Sequence, residues 1–251
     1  MSRSLAIFML AFMVPILGAN AQEPLRAAIN LDIPPYIMQG ATDGLEVAIV
    51  KRALAGREVE FVQMPFNEIN RAISSGTADA AVSVAAADSG GIYSNYFITF
   101  ENYAITRASA NLEISGILDL AGHPVLTWQG AYRELGPAFE ALYGPGGPER
   151  GNYIEIADLQ ELVVRFWREP DSVAVIDRNV FGYFTDQAGG TMQAARLHDL
   201  FAPGSNFRVG FRDAEVRNSF NEGLSRLCDS GAYGRLLEQY KVELRQTVCE
   251  N

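Results

Sequence analysis

Several residues able to hold a ligand stand where strands give way to turns. Leu25–Leu31 reads as a strand that ends at Asp32-Ile33-Pro34-Pro35-Tyr36. The prolines stop it and stiffen a loop that presents Asp32 and Tyr36 at its carboxyl end. Ser172–Ile176 reads as a strand buried on both faces and ends at Asp177, while Pro124–Trp128 is a strand followed by a corner at Gln129. An acid in such a place meets a ligand or caps the next helix, and both uses stay open for Asp177. Asp32 is in the same way a site residue or a turn residue. Trp128 stacks on a flat or cationic ligand or packs in the core, and Phe66, after Met64-Pro65, has the same two readings. This is a chemistry of holding rather than bond-making. No Ser-His-Asp arrangement, phosphate loop or acid pair at defined spacing is found. His123 and His198 lie in loop-like contexts, and neither they nor the cysteines show metal-ligand spacing, so no metal and no cofactor is expected.

The elements that position these residues centre on Gly76–Arg107. Ala80–Val84 is a second strand without alternation, as expected where both faces are buried. Ala85–Gly91 then interrupts it with small side chains, around Asp88, which reads as a solvated acid. Small residues after a buried strand fit a backbone that something else approaches closely. Phe97–Thr106 follows as one long extended segment.

The rest of the chain supplies a repeating strand–helix plan. Gly44 opens a helical pattern through Leu54. Val59–Val62 is a strand, and Asn67 is expected to cap a helix carrying Ile69, Ala72 and Ile73, closed by Gly76. Helices are also expected over Tyr132–Tyr143, from the Asp158/Glu161 capping box to Trp167, through Val180, Phe181 and Phe184, and over Asp213–Ser230 and Tyr233–Tyr240. Strands are expected at Tyr153–Ile156 and Phe207–Phe211. Parallel strands with helical crossovers make an α/β protein.

Composition narrows the partners. The 251 residues, 48% of them apolar, can bury a sizeable core in one large domain or two small ones. Lys and Arg total 20 against 30 Asp and Glu, a net charge of −10 that repels nucleic acid and anionic lipid. The acidic bias reads as solubility. Met1–Ala21 has the form of an export signal: Arg3, an apolar run from Leu5 to Leu17 and a small-x-small site at Ala19–Ala21. That run is too short to span a bilayer, so cleavage after Ala21 and a periplasmic protein without membrane insertion are expected. In an oxidising compartment Cys228 and Cys249 should form a disulfide that pins the tail to the preceding helix.

In order and spacing, the segments resemble the family 3 periplasmic solute-binding proteins, the polar amino-acid receptors of ABC importers. The matching pieces are PPY at 34–36, GLEVAIVKRAL at 44–54, EFVQMPFNEINRAISSGTADAAV at 60–82, YSNYF at 93–97, LDLAGHPV at 118–125, VAVID at 173–177 and LCDSGAYGRLLEQY at 227–240. The resemblance covers Leu25 to about Val242. It implies the periplasmic-binding-protein-like type II fold: two α/β lobes joined by two hinge strands, with a cleft between. Lobe 1 would comprise 22–104 and 208–251, and lobe 2 105–207, with crossings near Ala104–Ala108 and Pro203–Arg208. The cleft would be lined by Asp32, Tyr36, Phe66, Ser83, Trp128, Gln129 and Asp177. Phe66 would pack on the ligand, Asp177 would pair with an α-ammonium, and Tyr36 would sit near the cleft mouth. The implied role is a monomer that captures a small polar solute and presents it to the membrane permease of an ABC importer.

One piece of the pattern is missing. Typical members follow the buried strand with a small–Thr–x–Thr–x–x–Arg run whose Arg grips the ligand carboxylate as a bidentate fork. Here Val84-Ala85-Ala86-Ala87-Asp88-Ser89-Gly90-Gly91 has neither Thr nor Arg. Arg107 and Arg133 are candidate replacements. The expected ligand is therefore neutral or cationic and not a standard acidic amino acid. Two other readings accompany the receptor: an accessory periplasmic protein docking on an enzyme or sensor, and an enzyme like the family's cyclohexadienyl dehydratases, whose carboxylate substrate the missing Arg disfavours.

Overall fold

A computed structural model describes residues 23–84, 90–201 and 203–250. The expected export signal, Met1–Ala21, and residues 85–89 of the small-residue interruption expected after the strand lie outside the described residues. In chain order the first strands and helices are β1 (Leu25–Ile29), α1 (Leu45–Ala53), β2 (Val59–Gln63), α2 (Phe66–Ala72), β3 (Ala80–Val84) and β4 (Ile92–Phe100). Next come β5 (Asn102–Arg107), β6 (Val125–Thr127), α3 (Pro137–Tyr143), β7 (Tyr153–Glu155), α4 (Leu159–Arg168), β8 (Val173–Asp177) and α5 (Arg178–Gln187). The chain closes with β9 (Ala195–His198), β10 (Ser205–Phe211), α6 (Ala214–Asp229) and α7 (Ala232–Tyr240).

The strands form two five-stranded sheets, in the orders β2-β1-β3-β10-β4 and β7-β6-β8-β5-β9. In each, three parallel strands built from strand–helix units are joined by an antiparallel strand, β10 in one and β5 in the other. β3 and β8 are buried along their whole length, which is why neither alternates in sequence. The first sheet buries Ala27, Ile29, Val82, Phe97, Val209 and Phe211 under α1, α6 and α7, and Ala28, Ala81 and Val84 toward α2. Close packing fixes the entry to α1: a Cβ on Gly44 would lie 2.3 Å from the Tyr36 carbonyl oxygen, so only glycine lets the Pro34–Tyr36 loop lie against the helix.

The extended run expected over Phe97–Thr106 is two strands in different sheets, and the chain changes sheet at Glu101. Asn102–Ala104 pair with Val175–Asp177 of β8, and Ser205–Phe207 pair with Ile98–Phe100 of β4. The first changeover, at Glu101, thus falls a few residues before the crossing expected at Ala104–Ala108, and the second, between His198 and Ser205, overlaps that expected at Pro203–Arg208. Three local expectations also change. α2 begins at Phe66 behind Pro65, so Asn67 lies within its first turn rather than capping it. The helix expected from Tyr132 is a short 3-10 turn followed by α3, separated by Gly136 and started afresh by Pro137. His198 sits in the short strand β9, buried, with Nε2 against Thr106 Oγ1 (2.9 Å) and Nδ1 against the Ile114 carbonyl (3.0 Å).

Asp158 and Asp213 cap α4 and α6, each accepting two backbone N–H groups. Cys228 and Cys249 are disulfide-bonded, as the sequence predicts, tying the C-terminal segment to α6. Among the described residues no helix is long and apolar enough to cross a membrane.

Candidate ligand site

Parallel strands direct their carboxyl ends to one edge of a sheet, and here the edges of the two sheets meet. Tyr36, in the loop after β1, donates its hydroxyl to Asp177 Oδ1 at the end of β8 (3.1 Å), and Asn179 Nδ2 donates to the same hydroxyl (2.9 Å). By chain order the other expected residues follow or end parallel strands: Asp32 beyond β1, Phe66 after β2, Ser83 near the end of β3, and Trp128 and Gln129 after β6. Of all the expected residues the structure joins two by a direct hydrogen bond, Tyr36 and Asp177.

That pair is fully engaged within the protein. Asp177 Oδ1 accepts the Tyr36 hydroxyl and the backbone N–H groups of Asn179 and Val180, and Oδ2 accepts the Glu101 N–H (2.8 Å). The carboxylate is 4% exposed. Burial pushes its pKa up to about 6, and the N–H donors offset only part of that shift. Tyr36, expected at the cleft mouth, has no exposed surface; its ring lies 4.2 Å from that of Phe100. Burial raises its pKa well above the usual phenol value, with the Asp177 charge as the second cause. Both readings held open for Asp177 therefore resolve toward the helix cap, because the donors of α5 and of Glu101 occupy its acceptor sites.

The C-terminal segment completes this group. Glu243 donates its N–H to Asn179 Oδ1 (2.9 Å), accepts from Asn179 Nδ2 (3.2 Å), and pairs through its carboxylate with Arg178. Arg245 pairs with Glu101 and Asp199, which lie on the two passages between the sheets. Asn179, Glu101, Glu243 and Arg245 carry no sequence signal of this role, since partners 64 and 144 residues apart meet only in the fold.

The other expected residues are placed differently. Asp32 is exposed and closes its own loop, accepting from the Gly40 N–H (3.1 Å) and Gln63 Nε2 (2.8 Å). Phe66, half-buried, packs on the cluster under α2. Trp128 is half-buried, beside the Glu134 carboxylate, and Gln129 is exposed. Ser83 is buried in a left-handed backbone conformation (φ 61°). One extra residue on β3 is accommodated there, between the pairings Ala81–Gly210 and Val84–Arg208. Its hydroxyl donates to Glu46 Oε2 (2.7 Å), a carboxyl 1% exposed whose pKa burial raises to about 7. Glu46 reads in sequence as the polar side of α1; its burial follows from the way α1 packs beneath β3.

The two arginines considered as carboxylate grips are engaged elsewhere. Arg107 donates to the carbonyls of Phe166 and Trp167, and Arg133 donates through Nε to the Tyr132 hydroxyl. Among the described residues no group of His, Cys, Asp and Glu could hold a metal.

No family model matches the sequence, and no curated protein matches it. Solved structures do match. A histidine kinase sensor domain with similarity to periplasmic binding proteins superposes with a TM-score of 0.69 at 19% identity, covering 90% of this chain and 99% of its own. The GluR0 ligand-binding core in complex with L-glutamate gives 0.68 at 15% identity, covering 88% and 99%. The arginine-, lysine-, histidine-binding protein ArtJ from Geobacillus stearothermophilus gives 0.66 at 13% identity, covering 89% and 97%. The fold is that of the type II periplasmic binding proteins. Within that fold, the strand-end junction described above is where the two lobes meet, and the Tyr36–Asp177 group lies at its hinge.

Proposed function

We propose that the chain is an exported solute-binding protein that captures a small polar solute between its two lobes and presents it to the membrane permease of an ABC importer. The observation that carries this reading is the Tyr36–Asp177 contact. It turns the carboxyl ends of the parallel strands of both sheets toward one another, the place where open α/β sheets bind ligands. Phe66, Ser83, Trp128, Gln129 and Asp32 line the cleft around the hinge. Tyr36 and Asp177 support it from behind. The solute is neutral or cationic overall rather than a standard acidic amino acid, since the turn after β3 carries no arginine and Asp32 adds negative charge. The protein acts as a monomer and without catalysis.

A thermal-shift screen of the mature chain against amino acids, amines and sugars tests this, because any ligand of the folded state raises the melting temperature once it exceeds its dissociation constant. Stabilisation by a basic or neutral amino acid is expected. Stabilisation by glutamate or aspartate alone would contradict the ligand class. Two observations favour a second reading: the Tyr36–Asp177 pair is already engaged within the protein, and a matching structure is a sensor domain. An accessory protein that docks on a periplasmic enzyme or sensor would give no shift with any small molecule.

A further inference from the structure

Arg208 is a cation near the strand ends with no anionic partner among the described residues. It lies on β10, directly opposite Val84, the last residue of β3, and opposite Tyr96 of β4. Its guanidinium carbon sits 4.2 Å from the centre of the Tyr96 ring, whose side chain is partly exposed. Its Nε is shielded from solvent and has no hydrogen-bond partner. Among the described residues Arg208 belongs to no ion pair, in contrast to Arg26, Arg178, Arg212 and Arg245. Arg57 and Arg107 also have an unpartnered Nε, but Arg57 lies just before β2, at the opposite edge of the sheet, and Arg107 gives its Nη2 to the Phe166 and Trp167 carbonyls.

Among the described residues no acceptor takes a hydrogen bond from the Arg208 guanidinium, so its N–H groups remain open. Those donors form a planar fork that matches the two oxygens of a carboxylate. A shielded N–H with no acceptor is unfavourable, and an incoming oxyanion relieves it. We propose that Arg208, beside the Tyr96 ring and the end of β3, takes the carboxylate of a solute that carries a single anionic group. The grip that typical relatives of this sequence pattern place in the turn after the strand is thereby supplied from the neighbouring antiparallel strand. The inference rests on the solute-binding reading above. It deepens that reading by naming the group recognised: a monocarboxylate whose remaining charge is positive, so that the solute as a whole is neutral or cationic.

The test is a calorimetric titration of the mature protein with two pairs of probes, L-arginine against agmatine and L-histidine against histamine, each pair differing only in the carboxylate. Wild type should bind at least one acid about tenfold or more tighter than its amine, the discrimination expected of a charge-assisted fork. Arg208→Gln should erase that difference while leaving amine binding unchanged, and Arg208→Lys should restore it only in part. Equal binding of acid and amine by wild type, or discrimination kept by Arg208→Gln, overturns the role of Arg208 and leaves solute capture standing. A stronger response to inorganic phosphate than to either acid overturns the carboxylate assignment. No binding of any probe overturns both. Circular dichroism of each variant separates loss of binding from loss of fold.

Discussion

Asp177 and Arg208 are both charged residues near the junction of the two sheets, and the fold treats them in opposite ways. Asp177 is surrounded by donors: a phenol, two N–H groups of α5 and the N–H of Glu101 all point at one carboxylate. Arg208 has the Tyr96 ring 4.2 Å away and, among the described residues, no acceptor on Nε. A saturated charge holds structure together. An unsaturated one has free energy left to give to a ligand. The comparison teaches that position at a strand end does not identify a binding residue; the state of its hydrogen-bonding capacity does.

The largest expected effect falls on the saturated side. Asp177→Ala removes the cap of α5 and strands the Glu101 N–H and the Tyr36 hydroxyl, and should destabilise the protein by about 4 kcal/mol, read as a lower urea midpoint. A variant within experimental error of wild type would break the comparison at its base. Next is the tether of the C-terminal segment, which carries Glu243 and Arg245 to the hinge. Reducing Cys228–Cys249 opens a loop of 21 residues and should lower stability by about 3 kcal/mol, seen as a fall in melting temperature with reductant that Cys228→Ser/Cys249→Ser reproduces without it.

A smaller effect, dependent on pH, tests the buried acid beneath Ser83. The pKa of Glu46 is raised from 4.5 to about 7, so the folded state holds its proton more tightly than the unfolded one. The resulting stabilisation is complete below 4.5 and is lost as pH rises through about 7. Asp177, raised to about 6, adds the same sign. Wild type should therefore lose stability between about pH 5 and about pH 8, and Glu46→Gln should flatten the decline and gain about 2 kcal/mol at the alkaline end. A variant whose curve parallels wild type would show that the carboxyl is not held neutral. The smallest expected change in stability belongs to Arg208→Gln, within about 0.5 kcal/mol, because that side chain makes no hydrogen bond that the fold depends on.

The sequence made most of the fold readable because the signals were local. Two uninterrupted apolar strands, proline and glycine at element ends, and acids at helix starts all act within a few residues. The helix break at Gly136-Pro137 was equally local and was passed over in favour of apolar spacing, while β9 is too short and too polar to show periodicity. The division of one extended run at Glu101 was hidden because the partners Glu101 meets there, Asp177 and Arg245, come from distant parts of the chain. The site shows the same divide. Residue types at strand ends were legible, but whether an acid is saturated or an arginine left open depends on partners far away in sequence. Asp177 therefore reads as a site residue with a helix cap as the alternative, and Arg208, at the end of an expected crossing, carries no local signal of its role.

The central claim is tested most directly by a calorimetric titration of L-arginine run side by side on wild type, Asp177→Asn and Arg208→Gln, each confirmed folded. The account predicts an affinity for Asp177→Asn within about threefold of wild type and a loss of about tenfold or more for Arg208→Gln. The reverse order, with Asp177→Asn losing the ligand and Arg208→Gln keeping it, would contradict it.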